Sequence, residues 1–506
     1  MAQGVILTLD AGTTGVKCAA FTREGAAVFS CVEAYPTYYP APGWAQQKPG
    51  EQLEAVLRAI GRTLEQVPAQ QVEALVFTGT MNGCIPLDSA GEALYDNIIH
   101  SDVRTAAEVE ELAACMPLAD YYDRTGNRMD VHSGLPKYMW LKKHEPEVYR
   151  RTAHFVNIKD YLYGCFTGCH GQTDRSDASL CNCLDIHGGD WAWDVLREAG
   201  VDGAKMPALR RSTDVSGRLN AAYARRTGLP QGLPVAIGAG DGACAAHGAR
   251  PHVPGAAYMN IGSSAWVSAL SEAPVIDREL RLFNYFDMDE RRYNVCGTVQ
   301  CGAAAFNWAV ENLLCPGETH CDYAALEALA EQAPPGAGGV FFLPTLMGER
   351  TPWWTAKATG MLLGFTLYHT RAHLTRAVYE GVMQALRFCG EILGENGLPV
   401  RELTLIGGGA KSRLWRQMAA DMFGAQVRVH ATPHEATSLG AALAAGVGIG
   451  WYRDFAHAAE VIRRGPAFVP QAEAQAAYRA QFEVYRQLYP LSRGAQEAVF
   501  ACQQKA

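Results

Sequence analysis

The chain contains no cluster of basic residues, no apolar run long enough to span a bilayer, no Cys-x-x-Cys pair and no G-x-x-x-x-G-K-[ST] sequence. The first absence, with a formal net charge of −8 and a pI near 6.0, removes the electrostatic footprint of a nucleic-acid partner or an anionic membrane surface. The second excludes a transmembrane helix. The opening MAQGVILTLDAG lacks a basic n-region and reads as a strand, not as a signal peptide. The last absence excludes a P-loop. The 15 cysteines are odd in number and scattered, so the expectation is free thiols in a reducing cytoplasm. Cys165, Cys169 and His170, with Cys181 and Cys183 beyond, come nearest to metal-ligand spacing, but the spacing is loose and small buried residues are the favoured reading.

What is present is an ordinary globular composition. Apolar residues make up 48% and charged residues 19% of 506, enough chain for roughly two to four domains of about 150 residues. Val5–Asp10, Val16–Thr22 and Ala27–Ala34 read as three strands of an antiparallel meander. Pro49–Glu65 carries Leu53, Val56, Leu57, Ile60 and Leu64 on one helical face, and Val72–Phe77 reads as a buried strand ending in TGTMNG. Residues 101–230 are more helical: KYMWLKKHEPEVYRR is broken at Pro146, and IKDYLYGCFTG stops at Gly168. VAIGAGDGACAAHG (235–248) is strand, glycine turn and small-residue helix, and RPHVPG (250–255) is the best domain boundary. The opening pattern then returns in AYMNIGSSAWVSAL, with Asn260 in the neighbourhood matching Asp10. LTLIGGGAKSRLWRQMAADMFG follows as strand, glycine turn and helix, Ala436–Ala445 as a helix able to approach a backbone closely, and 451–506 as mostly helical closing structure. The implied architecture is two related α/β domains with mixed sheets, 1–252 and 253–506.

Four stretches carry chemistry. In LDAGTTGVK a strand ends in Asp10 and turns through Thr13 and Thr14. This is either a plain hairpin or a loop whose N–H groups and hydroxyls hold phosphate, with Asp10 holding Mg²⁺. Gly262, Ser263 and Ser264 offer the same donors without the acid. Gly407, Gly408, Gly409 and Ala410 let a flat group approach the backbone before a helix, or form a tight turn; the dinucleotide G-x-G-x-x-G spacing fails there. Asp241 sits in a glycine-rich turn as either a helix N-cap or the carboxylate that takes a hydroxyl proton in phosphoryl transfer; position alone favours the N-cap.

In this order, ILTLDAGTTGVK, TGTMNG, KYMWL, IKDYL, TDRSDAS, AIGAGDGA, NIGSSA, FLPTLMGERTP, GMLLGFTLYHTRAHLTRAVYEG, LIGGGAKSRLWRQMAAD and SLGAAL resemble the FGGY family of carbohydrate kinases over nearly the whole chain. Among its members the chain is most similar to xylulokinases. The resemblance implies two ribonuclease-H-like domains of the actin-like ATPase kind, each a mixed sheet flanked by helices, with ATP in the cleft between them. It implies Mg²⁺-dependent transfer of the γ-phosphoryl group to a sugar hydroxyl, and a homodimer. Asp10 and Asp241 match the metal site, and Asp241 also matches the catalytic base. Thr13, Thr14 and Lys17 match the first phosphate loop, Gly262, Ser263 and Ser264 the second, and Gly407 to Ala410 the adenosine site. Met81, Asn82, Asp102, Arg104 and Asp241 fall at acceptor positions. The departures lie there too: xylulokinases have Met-His-Gly where this chain has Met81-Asn82-Gly83, and Asn where it has Gly242. They also have Trp-Asn-Asp-x-Arg where it has His100-Ser101-Asp102-Val103-Arg104. The implied acceptor is a ketopentose such as D-xylulose. Ribulose, another ketose, a glycerol- or erythritol-like polyol and a gluconate-like aldonate are the alternatives, and a catalytically silent nucleotide-binding regulator is the reading from a different class.

Overall fold

Val5, Ile6, Leu7 and Leu9 are buried on both faces, the pattern of a central strand. In the computed structural model, which describes residues 4–317 and 321–503, this run is β1 (Val5–Ala11). It heads a meander with β2 (Gly15–Thr22) and β3 (Ala27–Ala34). β4 (Val72–Gly79) lies parallel to β1; β5 (Gly217–Arg218) and β6 (Pro234–Ala236) complete a six-stranded sheet in the order β5-β6-β4-β1-β2-β3.

The second sheet repeats the plan. β7 (Ala257–Ile261) and β8 (Ala265–Ser271) form a hairpin, and β9 (Phe283–Phe286) and β10 (Tyr293–Val299) extend it on the β8 side. β11 (Glu402–Ile406) and β12 (Gln426–Val429) lie parallel on the β7 side, giving β9-β10-β8-β7-β11-β12. The repeat read from two short patterns is therefore a repeat of topology: hairpin, third antiparallel strand, then a parallel strand beside the first.

Helices cover the faces. α1 (Pro49–Leu64) buries Leu53, Val56 and Ile60 against the first sheet, starting at a proline suited to a first turn. α2 (Gly134–His144) ends before Pro146, as the sequence predicts. α3 (Ile158–Thr167) opens with an Asn157/Asp160 capping box and stops at Gly168, whose φ of 79° is left-handed. α4 (Asp241–Ala249) leads from the first half toward the 250–255 linker. In the second half α5 (Arg371–Glu395), buried nearly all round, is the core helix, and α6 (Arg413–Phe423) packs beside it.

The halves meet through α4 and α7 (Ala436–Gly448). A Cβ on Gly248 would lie 1.8 Å from the Ala436 carbonyl oxygen, and one on Gly440 1.8 Å from that of Cys244. The small-residue helix thus approaches a backbone as expected. α7 also packs on the first sheet beside Ile6, Ala74 and Val76. Trp451 Nε1 donates to Glu73 at 2.8 Å, and Tyr452 to the Arg23 carbonyl at 2.6 Å. α8 (Ala472–Gln503) closes the second half.

One cysteine expectation changes and the other holds. Cys315 and Cys321 form a disulfide, while the other 13 cysteines are free. The loose Cys165–Cys183 group does not assemble: Cys165 and Cys169 pack on the first sheet's core, Cys181 and Cys183 in a separate cluster around Trp140. Among the described residues, metal-ligand geometry occurs at His247, His252 and Asp287. There Asp287 already receives His247 at 2.6 Å and faces the buried Arg250 guanidinium at 3.6 Å. Burial alone would raise the Asp287 carboxyl, but His247 and Arg250 hold it far below the usual range. Among the described residues no helix is long and apolar enough to cross a membrane.

Candidate active site

β1 delivers Asp10 to the sheet edge opposite Lys17, and Gly12 to Gly15 make the turn. The Gly12 N–H donates to the Gly15 carbonyl at 3.0 Å, and the Tyr35 hydroxyl donates to the Gly12 carbonyl. In the second hairpin the Gly262 N–H donates to Ser264 O at 3.1 Å, and the Gly302 N–H to Ser263 O at 2.9 Å. Both turns are pinned through their main chains. Among the described residues no protein group bonds the hydroxyls of Thr13, Thr14, Ser263 or Ser264, so these remain available to a ligand.

The third element is the turn before α4. Asp241 is the first residue of the helix and Gly240 its N-cap, with no side-chain cap. The N-cap reading of Asp241 is therefore wrong, because its carboxylate does not close the first turn. The Gly240 N–H donates to Ser176 Oγ at 3.2 Å, and Ser176 in turn donates to Asp174. That places the TDRSDAS segment behind the turn, with Asp174 also bound by Lys159 at 2.9 Å. From the second half Tyr258 donates to the Gly242 carbonyl at 3.2 Å. Met81 fills the space a Cβ on Gly240 would need, its Cγ 2.6 Å away.

These elements surround a cavity of about 320 Å³, lined from the first half by Thr13, Thr80, Met81, Asn82, His100, His132, Asp241 and Gly242. From the second half come Ser264, Trp266, Tyr285, Thr298 and Arg350. Burial, helped by the charge of Asp10 and opposed by the Gly242 N–H, lifts the Asp241 carboxyl to about 7. Burial lifts Asp10 to about 6, with Lys17 opposing. Two desolvated carboxylates, the charge of one felt at the other, are poorly neutralised by the protein, a donor set that suits a hard divalent cation.

The other expected residues fall in less direct places. Lys17 reaches across to the His434 carbonyl and to Glu435 at 3.8 Å. Asp102 and Arg104 do not line the cavity. They pair at 2.7 Å with both side chains fully buried, and the guanidinium lies 3.8 Å over Trp44 and 4.9 Å from Trp140. In the glycine turn after β11, a Cβ on Gly407 would lie 2.5 Å from Asn260 Oδ1, and one on Gly409 2.5 Å from Ile261 Cγ2; only Gly408 faces open space. Two of the three glycines thus serve packing on the second hairpin. Sequence reasoning did not single out His100, His132, Tyr285 or Arg350 as cavity residues, although Arg350 stands in GERTP and His100 directly before Ser101-Asp102. Among the described residues Arg350 has no ion-pair partner; His100 is held down to about 4 by burial, with Lys137, His132 and Arg350 adding to it.

Residues 5–248 match the N-terminal domain of the FGGY family of carbohydrate kinases, and residues 257–449 match its C-terminal domain. The chain belongs to this family. As an FGGY carbohydrate kinase it is a phosphotransferase that uses ATP and acts on a small-molecule sugar. It is 32% identical to the xylulose kinase of Escherichia coli (strain K12) over 95% of this chain and 98% of that one. A ligand-bound xylulose kinase structure from Lactobacillus acidophilus superposes with a TM-score of 0.92 at 25% identity, covering 98% of this chain and all of that one. A gluconate kinase structure from the same organism gives 0.91 at 25% identity, covering 97% and 98%. Both FGGY structures share the two-domain α/β frame described above.

Proposed function

We propose that this carbohydrate kinase phosphorylates a ketopentose, with D-xylulose the first choice. The observation that carries the reading is a single cavity that both hairpin turns and Asp241 enter together, closed on its far side by hydrogen-bonding side chains. The N-terminal domain, 1–252, holds the acceptor, the first phosphate loop and Asp241. The C-terminal domain, 253–506, holds the second phosphate loop and the adenosine turn. ATP phosphates lie between Thr13–Thr14 and Ser263–Ser264, and adenosine lies over Gly408. Asp10 and Asp241 would hold Mg²⁺, which would supply neutralisation of phosphate charge. Asp241 accepts the proton of the attacking hydroxyl; a carboxyl at about 7 is well matched to that exchange near neutral pH. Lys17 fixes the 434–435 loop against the first hairpin, and the Asp102–Arg104 pair shapes the wall behind the acceptor. Free thiols at 13 cysteines support a cytoplasmic setting.

A second reading has its own observation. The unpaired Arg350 guanidinium in the cavity would bind the carboxylate of an aldonate. ADP release from MgATP across ketoses, polyols and aldonates separates the two, with Asp241→Asn as the blank. Saturable turnover on D-xylulose supports the ketopentose. Turnover on an aldonate with xylulose inert transfers the assignment to the acid. Nucleotide binding without transfer to any acceptor overturns both.

A further inference from the structure

Every residue from Gly134 to Leu141 in α2 is buried, Lys137 among them. Among the described residues its ammonium has no carboxylate partner. It donates instead to three main-chain carbonyls: those of Asn82, of Ile99 at 3.0 Å and of His132 at 3.0 Å. These belong to three separate loops, and each loop brings a side chain to the cavity: Asn82 itself, His100 beside Ile99, and His132 itself. His132 Nδ1 bonds the His100 carbonyl oxygen at 2.8 Å, a second tie between two of the loops.

Asn82 shows what this tie holds in place. Its φ of 64° is left-handed, a conformation uncommon outside glycine and one that asparagine adopts more readily than most residues. Lys137 fixes its carbonyl, while its side-chain Oδ1 is buried with no protein partner.

We infer that Lys137 is a positioning residue for the phosphoryl acceptor: one buried ammonium locks the Asn82, His100 and His132 loops and so sets the shape of the acceptor side of the cavity. This rests on assigning that cavity to the acceptor. The chemistry accounts for the residue type, because an ammonium puts three donors on one atom. A methionine of similar length would fill the volume and leave three carbonyls unpaired in an apolar interior.

The same geometry predicts a pH signature. Burial pulls the ammonium down to about 8, opposed by Cys84, Asp102, Cys181 and Asp130. Around it burial pushes the Cys84 and Cys181 thiols up and the His100 and His132 imidazoles down, and Arg350 faces both rings. Above about pH 8 the neutral amine keeps two donors for three carbonyls.

The test measures KM separately for acceptor and ATP in wild type, Lys137→Met, Lys137→Arg and Asn82→Gly, using the acceptor turned over in the panel above. Lys137→Met is expected to raise the acceptor KM by about 10- to 100-fold, with a smaller change in kcat and little in the KM for ATP. Lys137→Arg recovers part of the loss. In wild type the acceptor KM rises from pH 7 to 9.5 while the KM for ATP does not, and the rise is absent in Lys137→Met. A Lys137→Met enzyme with a normal acceptor KM overturns the inference, and so, should that variant not fold, does a Lys137→Gln enzyme with a normal acceptor KM. Asn82→Gly keeps the left-handed backbone and removes the amide. If it too leaves the acceptor KM unchanged, the assignment of the cavity has failed; if it raises KM while Lys137→Met does not, only the role of Lys137 has.

Discussion

The two hairpins share the plan of neighbouring strands and a pinned three-residue turn, yet they differ at the residue two places before the first turn glycine. Asp10 lies two residues before Gly12, and Asn260 lies two residues before Gly262. The Asp10 charge is felt at Asp241 and its carboxylate accepts no protein hydrogen bond among the described residues, while the amide packs against Gly407 in the glycine turn. One scaffold used twice thus gives a charged edge that suits a metal and a neutral edge that suits a nucleoside. The charge is favoured where a cation can arrive, because burial holds the Asp10 carboxyl up at about 6 even with Lys17 opposing.

The sharpest way to break this contrast is to make the first hairpin resemble the second. Asp10→Asn should lower kcat by roughly 10²–10⁴-fold, with the fold unchanged by circular dichroism. Retained turnover would mean the acid is dispensable. A second change addresses how the halves are held. Gly440→Ala puts a methyl where the Cys244 carbonyl lies 1.8 Å away. It should cost about 1–3 kcal/mol in denaturant unfolding, whereas Gly394→Ala, whose Cβ meets nothing within 4 Å, should cost nothing or stabilise.

A third change sharpens the comparison of buried acids. Glu349 in the second half accepts the N–H groups of Gln300 at 2.7 Å and Arg350 at 2.9 Å, and burial lifts its carboxyl from 4.5 to about 7. With a raised folded value, its favourable contribution is whole below about pH 4.5 and is lost as pH rises through about 7. Glu349→Gln keeps the acceptor oxygen and should remove that loss, a gain on the order of 1–3 kcal/mol at pH 8 and none at pH 4, read by thermal midpoints. The smallest expected effect is at Gly242. A Cβ there would touch Met81 Sδ at 3.4 Å and Tyr285 OH at 3.5 Å without clash. Gly242→Asn should shift relative kcat/KM among ketoses and aldonates by about tenfold and leave the KM for ATP alone.

What the sequence made legible follows from what is local. Asp10, Thr13, Thr14, Ser263, Ser264 and the glycine turn sit in strand–turn patterns that the chain writes consecutively, and the structure places them on strand ends as expected. Asp241 was legible as a turn acid, but its N-cap reading failed because Gly240 occupies that position. His100, His132, Tyr285 and Arg350 gather from four distant segments, and no periodicity marks such a meeting. Asp102 and Arg104 show the converse. Close spacing and family position suggest a shared acceptor role, yet the two side chains neutralise one another between Trp44 and Trp140. The Cys315–Cys321 disulfide was hidden by the odd cysteine count.

The central claim is that Asp241 takes the acceptor's proton. Turnover and nucleotide affinity measured side by side in wild type and Asp241→Asn, with the best acceptor, test it most directly. The expected result is a fall in turnover of roughly 10²–10⁴-fold with nucleotide affinity within about threefold of wild type. Near-normal turnover in the asparagine variant would contradict it.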